Sequence, residues 1–447
     1  MAKIALVGAG SAVFSLNVVR DLCLTPSLTG STIHFMDIDP ARLEAVHTLC
    51  ARYAAEVGMT LNLLTTTDRR AALEGADIVL NTALTAGYDR LLEGWVHARQ
   101  LDYRFGGSLH VMHDEAFWIN FYQLRFFESV VEDVLALCPE AWYFQIGNPV
   151  LAGLTHLTRR YPRLKVVGLC HGYYGVHHLA DALGLSHEGL TYEIPGVNHF
   201  VWLNRVYHNG QDVFSMLDRW IAAEAPRFWE TCGPGHPLGR KMIDLYQRYG
   251  VFPIGDTGSW GGGSWGWWYH ADAETEARWQ EDPPAQWEAH LAKGRNKLAA
   301  IQSVRDNSAA RVTELFPAQH SHEVIVPMID ALVNDHPRVL IGNVANTGGY
   351  VPGLPLDFAV EVPTLVSRRG IQPVQTTPLP PAVQALALSD YVAPVNLELA
   401  AYTQHSRGLL LDLLMMDPWT RSERQARALL DAILALPYHA EMREYYQ

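Results

Sequence analysis

Cysteine is scarce in this chain: five residues in 447, at positions 23, 50, 138, 170 and 232. They are too few and too scattered for a disulfide framework, so any thiol chemistry is that of a free thiol. Positive charge is also in short supply. Lys and Arg total 34 against 47 Asp and Glu, a formal charge of −13, which leaves no basic face for a nucleic acid. An anionic small substrate is not excluded, since it needs only one or two local cations. No apolar run approaches the roughly 18 residues of a membrane helix, and Met1–Val7 shows no charged-then-apolar leader. Repeats and low-complexity segments are absent too. These absences lead to the expectation of a soluble, cytoplasmic, reduced protein, with no membrane partner, in which a cysteine can bind metal.

What is present is a core-forming composition, 49% hydrophobic and 18% charged, over a length that suits two domains. Lys3–Val7 reads as a strand, and Gly8-Ala9-Gly10-Ser11 turns it into an apolar helix around Val13–Leu24. Two glycines there let backbone N–H groups approach a pyrophosphate at a helix N-terminus; Val13 stands where a third glycine is usual. A second strand, Thr32–Met36, ends on Asp37-Ile38-Asp39. An acidic side chain at that point accepts a ribose 2′-OH and repels a 2′-phosphate, which favours NAD over NADP. Asp39-Pro40 is a good helix start, so Asp39 is read as the cap and Asp37 as free.

The alternation continues through Ala76–Asn81, through Ala141–Ile146 closing on Gly147-Asn148-Pro149-Val150, and through Leu164–Cys170. It predicts a Rossmann-type, doubly wound parallel sheet with ligands at the strands' C-terminal ends, where Asn148 and Cys170 fall. Beyond about residue 195 the pattern changes. Gln286–Ala310, Ser321–Asn334 and Leu397–Leu436 (broken at Asp417-Pro418) read as helical, Val339–Ile341 as a strand, and Gly348–Pro363 as turns. Pro373–Pro381 reads as a surface connector. The chain is therefore divided into residues 1–195 and an α+β part, 196–447.

Two stretches carry metal chemistry. Val166–Gly172 is a β-branched run that ends on Cys170-His171, and Gly196-Val197-Asn198-His199 puts an Asn-His pair after a Pro-Gly turn. A thiolate and an imidazole on separate loops can hold one divalent cation and leave positions open for a ligand. Taken singly, Cys170 reads as a small buried hydrophobe and His199 as a satisfied loop histidine.

With these pieces in order, the chain resembles glycoside hydrolase family 4. The resemblance is carried by Gly8–Ser11, Asp37–Asp39, Asn148-Pro149-Val150, Cys170-His171-Gly172, Gly196–His199, Gly255-Asp256, Ser321-His322-Glu323, Asn343–Gly348 and Val360–Pro363. It covers nearly the whole chain. Many members carry a Gly-Asp-Thr…Pro-Gly-Gly loop after the third strand; this chain has Gly106–Glu115 there instead. Cys-His-Gly, with Val-Asn-His…Trp-Leu-Asn-Arg and Pro-Ile-Gly-Asp-Thr, is similar to the α-glucuronidase- and α-galacturonidase-like subgroup.

The resemblance implies an α+β substrate domain like that of lactate and malate dehydrogenases, NAD and Mn²⁺ (or another divalent metal) as cofactors, and a homodimer or homotetramer. It also implies an unusual glycosidase mechanism: oxidation at C3 of the sugar, deprotonation at C2, elimination of the glycosidic oxygen, water addition and re-reduction. Cys170 and His199 would be the metal ligands, Gly8, Gly10, Ser11, Asp37 and Asn148 would bind cofactor, and Asn148 and Asn198 would touch sugar. His171 would protonate the leaving oxygen or only hydrogen-bond the sugar. Asp256 would be the C2 base, with Tyr249 in reserve, although Asp-Thr-Gly is also ordinary turn chemistry. The glycine- and tryptophan-rich stretch 259–270 reads either as a lid for sugar faces or as interdomain packing. The small Gly172 points to a uronide, whose carboxylate would want Arg205, with Arg240 and Lys241 behind. Three readings compete: a neutral α-glucoside or another anionic glycoside as substrate, a conventional NAD-dependent dehydrogenase, or a nucleotide sensor that hydrolyses nothing.

Overall fold

The computed structural model describes residues 1–258, 264–307 and 309–447; the side chains of Ser264 and Trp265 are not described. Six strands build its first half: β1 (Lys3–Val7), β2 (Thr32–Met36), β3 (Asn62–Thr66), β4 (Ile78–Asn81), β5 (Trp142–Gln145) and β6 (Val166–Gly168). They run parallel in the order β3-β2-β1-β4-β5-β6, the Rossmann order, with the reversal between β1 and β4. β4 is buried at every position, as a parallel strand covered on both faces must be.

The helix after β1, α1 (Ala12–Cys23), follows the glycine turn, and α2 (Pro40–Val57) follows β2. Asp39 caps α2 by accepting from Ala41 N at 3.0 Å and Arg42 N at 3.1 Å, with Pro40 in the first turn and Gly58 closing the helix at φ 78°. Asp39 is therefore the cap that its sequence context predicts.

The second half contributes β7 (Leu190–Glu193), β8 (Gly196–Val197), β9 (Phe200–Leu203), β10 (Arg205–His208), β11 (Gln211–Asp212), β12 (Phe252–Ile254), β13 (Arg338–Ala345), β14 (Ala359–Ser367) and β15 (Gly370–Pro373). Most of these extend the first sheet. β13 lies antiparallel beside β6, β14 beside β13, and β8, β9 and β12 continue outward, so twelve strands share one mixed sheet. A division after residue 195 thus falls inside a continuous hydrogen-bonded framework. β7, β10 and β11 form a separate three-stranded sheet.

Two differences from the sequence reading have simple causes. β3 has no apolar alternation because it is the edge strand, with half-exposed or exposed residues throughout. β14 begins at Ala359, inside the stretch whose glycines and prolines read as turns. The aromatic C-terminus packs on its own chain: Tyr445 and Tyr446 lie edge-on or tilted against Phe121 at 5.1 and 5.5 Å. Among the described residues no helix is long and apolar enough to cross a membrane.

The docking of that tail has a pH consequence. His439 is fully buried, stacks on Tyr122 at 5.5 Å and lies 2.9 Å from its hydroxyl, which also donates to Tyr438 O. Burial, then Arg90, lowers its pKa from 6.5 to about 4. Below 6.5 the unfolded chain takes up a proton that the folded protein refuses until about 4, so this contribution is complete above 6.5 and is lost as pH falls through that window. Calorimetric melting temperatures should fall across it, and the fall should be shallower in His439→Phe, which keeps the ring and cannot charge.

Candidate active site

The C-terminal ends of β1, β4, β5 and β6 open on one side of the sheet. At the first, Gly8 adopts φ 89°, and a Cβ there would sit 2.6 Å from Ala83 N. Gly8 N and Ala9 N both donate to Met36 O at 3.0 Å, locking the turn to β2. Gly10 must be bare for another reason: its N–H donates to Asp37 Oδ2 at 2.8 Å, and a Cβ would meet that oxygen at 2.6 Å. Asp37 also accepts from Asp39 N at 3.0 Å, so its carboxylate closes the glycine turn instead of standing free. Ser11 is exposed and its hydroxyl does not cap α1.

Cys170 follows β6, His199 occupies a turn between β8 and β9 at φ 64°, and Asp256 lies in the single-turn helix Gly255–Thr257 after β12. Their ligand atoms fall within 4.8 Å of one another. Close glycine packing makes this approach possible: a Cβ on Gly255 would lie 2.7 Å from Gly172 Cα, and one on Gly175 2.6 Å from Ile254 Cβ. Thr257 Oγ1 pins the turn by donating to Val201 O at 2.8 Å and accepting from Val201 N at 2.6 Å.

A thiol and two carboxylates converge on one buried imidazole. Burial raises the Cys170 thiol pKa, and His199 pulls against it. For His199 burial alone would favour the neutral ring, yet Glu115, then Asp256, with Cys170 beside it, carry its pKa well above the usual value. His199 Nδ1 is 2.8 Å from Glu115 Oε1, and Nε2 is 3.4 Å from Asp256 Oδ2. The His199 side chain is 5% exposed and that of Asp256 45%, so the cluster opens on the Asp256 side. One thiol, one imidazole and one carboxylate, open on one flank, fit a divalent cation that keeps positions for substrate.

Behind the trio lies a carboxyl to which the sequence reading gave no role. Glu361, in the middle of β14, accepts from Asn198 Nδ2 at 3.2 Å and Asn343 Nδ2 at 3.1 Å. Burial raises its pKa to about 7 against the pull of the two amides, and its Oε1 has no hydrogen-bond partner. Asn198 is wholly buried in this contact. Asn148 donates to Asp114 Oδ2 at 3.1 Å, while its carbonyl accepts from Gln123 Nε2 at 2.8 Å. His113, Asp114 and Glu115 were missed because their loop matches no familiar pattern. The signal was there in a His-Asp-Glu triplet set within an apolar stretch.

The remaining candidates are placed as follows. His171 is 47% exposed, with Nδ1 3.2 Å from Glu323 Oε1 and its ring stacked on Tyr174 at 5.1 Å. Arg205 is not brought to the trio. It is exposed and opens β10, opposite Glu193 in the small sheet. Lys241 is buried 3.2 Å from Glu281 Oε2, and Arg240 lies over Trp229. Tyr249 packs edge-on against Trp202 at 5.8 Å. Of the stretch 259–270, residues 259–263 lie outside the described residues; Trp267 is exposed and His270 buried.

Comparison with known proteins agrees with this architecture. The chain is 26% identical over 431 residues to an α-galactosidase of Bacillus subtilis, covering 95% of this chain and 94% of that one. It is 24% identical to an α-galacturonidase of Thermoanaerobacter italicus, over 94% and 92% of the two chains. A 6-phospho-α-glucosidase from gut microorganisms, solved with NAD and Mn²⁺, superposes with a TM-score of 0.78 at 18% identity, over 98% of each chain. Malate dehydrogenase of Plasmodium falciparum shares the fold more loosely, with a TM-score of 0.51 at 16% identity over 96% of this chain and 100% of that one. The family 4 glycosyl hydrolase model matches residues 3–185 and the family 4 glycosyl hydrolase C-terminal domain matches residues 194–420; the chain belongs to glycosyl hydrolase family 4.

Proposed function

We propose that this protein hydrolyses α-glycosides of uronic acids, α-glucuronides or α-galacturonides, with NAD and a divalent metal, Mn²⁺ foremost. The observation that carries the reading is the meeting of Cys170, His199 and Asp256 within 4.8 Å at the end of the parallel strand β6. Likeness to α-galacturonidases at 22–24% identity supports a uronide, and so does the small Gly172, which leaves room beside Cys170. Likeness to an α-galactosidase and an α-glucosidase at 26 and 27% keeps a neutral α-glycoside as the alternative.

When bound, NAD accepts and returns a hydride at C3 of the sugar, and the cation supplies Lewis acidity at the neighbouring oxygens. The chain's own groups do the rest. The Gly8–Ser11 turn, whose own N–H groups are tied back to the chain, brings the start of α1 to the pyrophosphate, and Asp37 takes a ribose hydroxyl on the lone pairs its two backbone contacts leave. Cys170 and His199 hold the metal, Asn148 lines the way to cofactor and sugar, and Asn198, buried against Glu361, stands behind them. His171, half exposed and steadied by Glu323, donates a proton to the departing glycosidic oxygen. Asp256, on the open flank, removes the C2 proton. Residues 1–195 carry the cofactor and 196–447 complete the sugar site, in a cytoplasmic homodimer or homotetramer. With Arg205 on the other sheet, the carboxylate of a uronide finds its cation elsewhere.

The contact of Asp256 with His199 Nε2 at 3.4 Å favours a second role for it, as third metal ligand. Asp256→Asn separates the two. A base variant keeps its Mn²⁺ affinity and stops exchanging the C2 proton with deuterated solvent; a ligand variant loses Mn²⁺.

The function itself is tested with paired p-nitrophenyl α-glucuronide and α-glucoside, omitting Mn²⁺, NAD and thiol in turn. Uronide cleavage that disappears without NAD or metal, with no net NADH released, is the expected outcome. Cleavage of the glucoside alone discards the uronide pocket, and cleavage indifferent to NAD discards the mechanism. Cys170→Ser should lower kcat/KM by about a thousandfold, as loss of several kcal/mol of Lewis-acid stabilisation requires, and should abolish Mn²⁺ binding in titration.

A further inference from the structure

The segment 106–115, where this chain departs from the commoner family pattern, is built into the core. Ser108 donates through N and Oγ to Asp417 Oδ2 at 3.0 and 2.6 Å. His110 Nδ1 lies 3.3 Å from Glu398 Oε2. Ala116 N and Phe117 N donate back to His113 O and His110 O at 3.2 and 3.0 Å. The backbone at Glu115 is therefore fixed on both sides, and its side chain, 1% exposed, has little freedom of aim.

We infer that Glu115 is the positioning carboxylate of the metal centre. It holds the Nδ1 side of His199, so that Nε2 is the nitrogen offered to the cation beside Cys170 and Asp256. Three observations converge on it. Glu115 Oε1 and His199 Nδ1 are 2.8 Å apart, within hydrogen-bond distance, and both atoms are buried with no other partner in the chain. A neutral imidazole that binds a cation through Nε2 carries its proton on Nδ1, and that proton needs an acceptor. The His113 ring packs tilted against that of His199, with centroids 5.5 Å apart, so the imidazole is held among buried neighbours of the same loop. The same segment reaches the end of β5 through Asp114 and Asn148, so one loop sets both a metal ligand and a residue assigned here to cofactor and sugar.

This inference rests on Cys170 and His199 being the ligands, and the experiment keeps the two claims apart. Mn²⁺ affinity, read as free Mn²⁺ by paramagnetic resonance, and the spectrum of the cobalt(II)-substituted protein are compared in wild type, Glu115→Gln, Glu115→Asp and Cys170→Ser, with NAD affinity as the control for folding. Glu115→Gln should weaken Mn²⁺ about 10–100-fold, as loss of such a partner does. It should also shift the cobalt d–d bands, keep the thiolate-to-cobalt band and leave NAD affinity unchanged. Glu115→Asp, with the charge drawn back by one methylene, should lose affinity to a smaller degree, and it decides the matter if the Gln variant does not fold. Wild-type Mn²⁺ affinity in both Glu115 variants overturns the positioning role while the ligands stand. Wild-type Mn²⁺ binding in Cys170→Ser overturns the ligand reading itself. If His113→Ala then loses the ion, the ligands are His113, Glu115 and His199, which also lie within 4.8 Å of one another, and Glu115 is not a positioning residue.

Discussion

A buried imidazole with a carboxylate on each side is the constraint around which this molecule is arranged. His199 lies between Glu115 and Asp256, almost without exposure, and is carried towards the charged form despite its burial. Two negative charges facing one buried ring would be costly if nothing positive stood between them. The charged ring balances them, a cation held by His199 and Cys170 would take over that role, and each neighbouring element has a place in the arrangement. The paired glycines let the Cys170 loop meet the Asp256 turn, Thr257 fixes that turn to β9, and Glu361 with its two asparagines fills the space behind.

The sheet determines where this happens. Six parallel strands direct their C-terminal ends to one edge, the usual place for a ligand in such a fold. Antiparallel β13 and β14 then bring Asn343 and Glu361 to the same level as β6, through the pairing of Asn343 with Gly168. The cofactor side and the metal side are thus parts of one framework.

Much of this was legible in the sequence where local chemistry and burial agree. β1 and β2 match their apolar runs residue for residue, because β1 stops at the Gly8 turn and β2 at the Asp37–Asp39 segment that caps α2. Cys170, His199, Asp256, Asn148 and Asn198 stood out because each follows a strand or sits in a tight turn, where side chains converge. Arg205 misled through proximity: it lies six residues after His199, but a single residue, Asn204, separates β9 from β10, and the two strands belong to different sheets. Glu361 carried no visible role because a carboxyl inside a Val-Glu-Val run gives no sign that two distant amides will receive it. His113 and Glu115 meet His199, more than 80 positions on, and their loop is anchored through Ser108 to Asp417, 309 positions on, which no window of sequence contains.

That last dependence has a consequence for how the protein is made. The side chains of Ser108 and His110 meet Asp417 and Glu398, so the loop that carries Glu115 lacks these two anchors while the C-terminal helices are still unsynthesised. Strands β1 to β6 can pair early, since their contacts are near in sequence, and domains assemble from the N-terminus as the chain emerges. The metal centre comes last. A nascent or truncated chain can therefore present a folded nucleotide-binding sheet with no finished centre beside it, which withholds thiolate and imidazole chemistry until the whole polypeptide is in place.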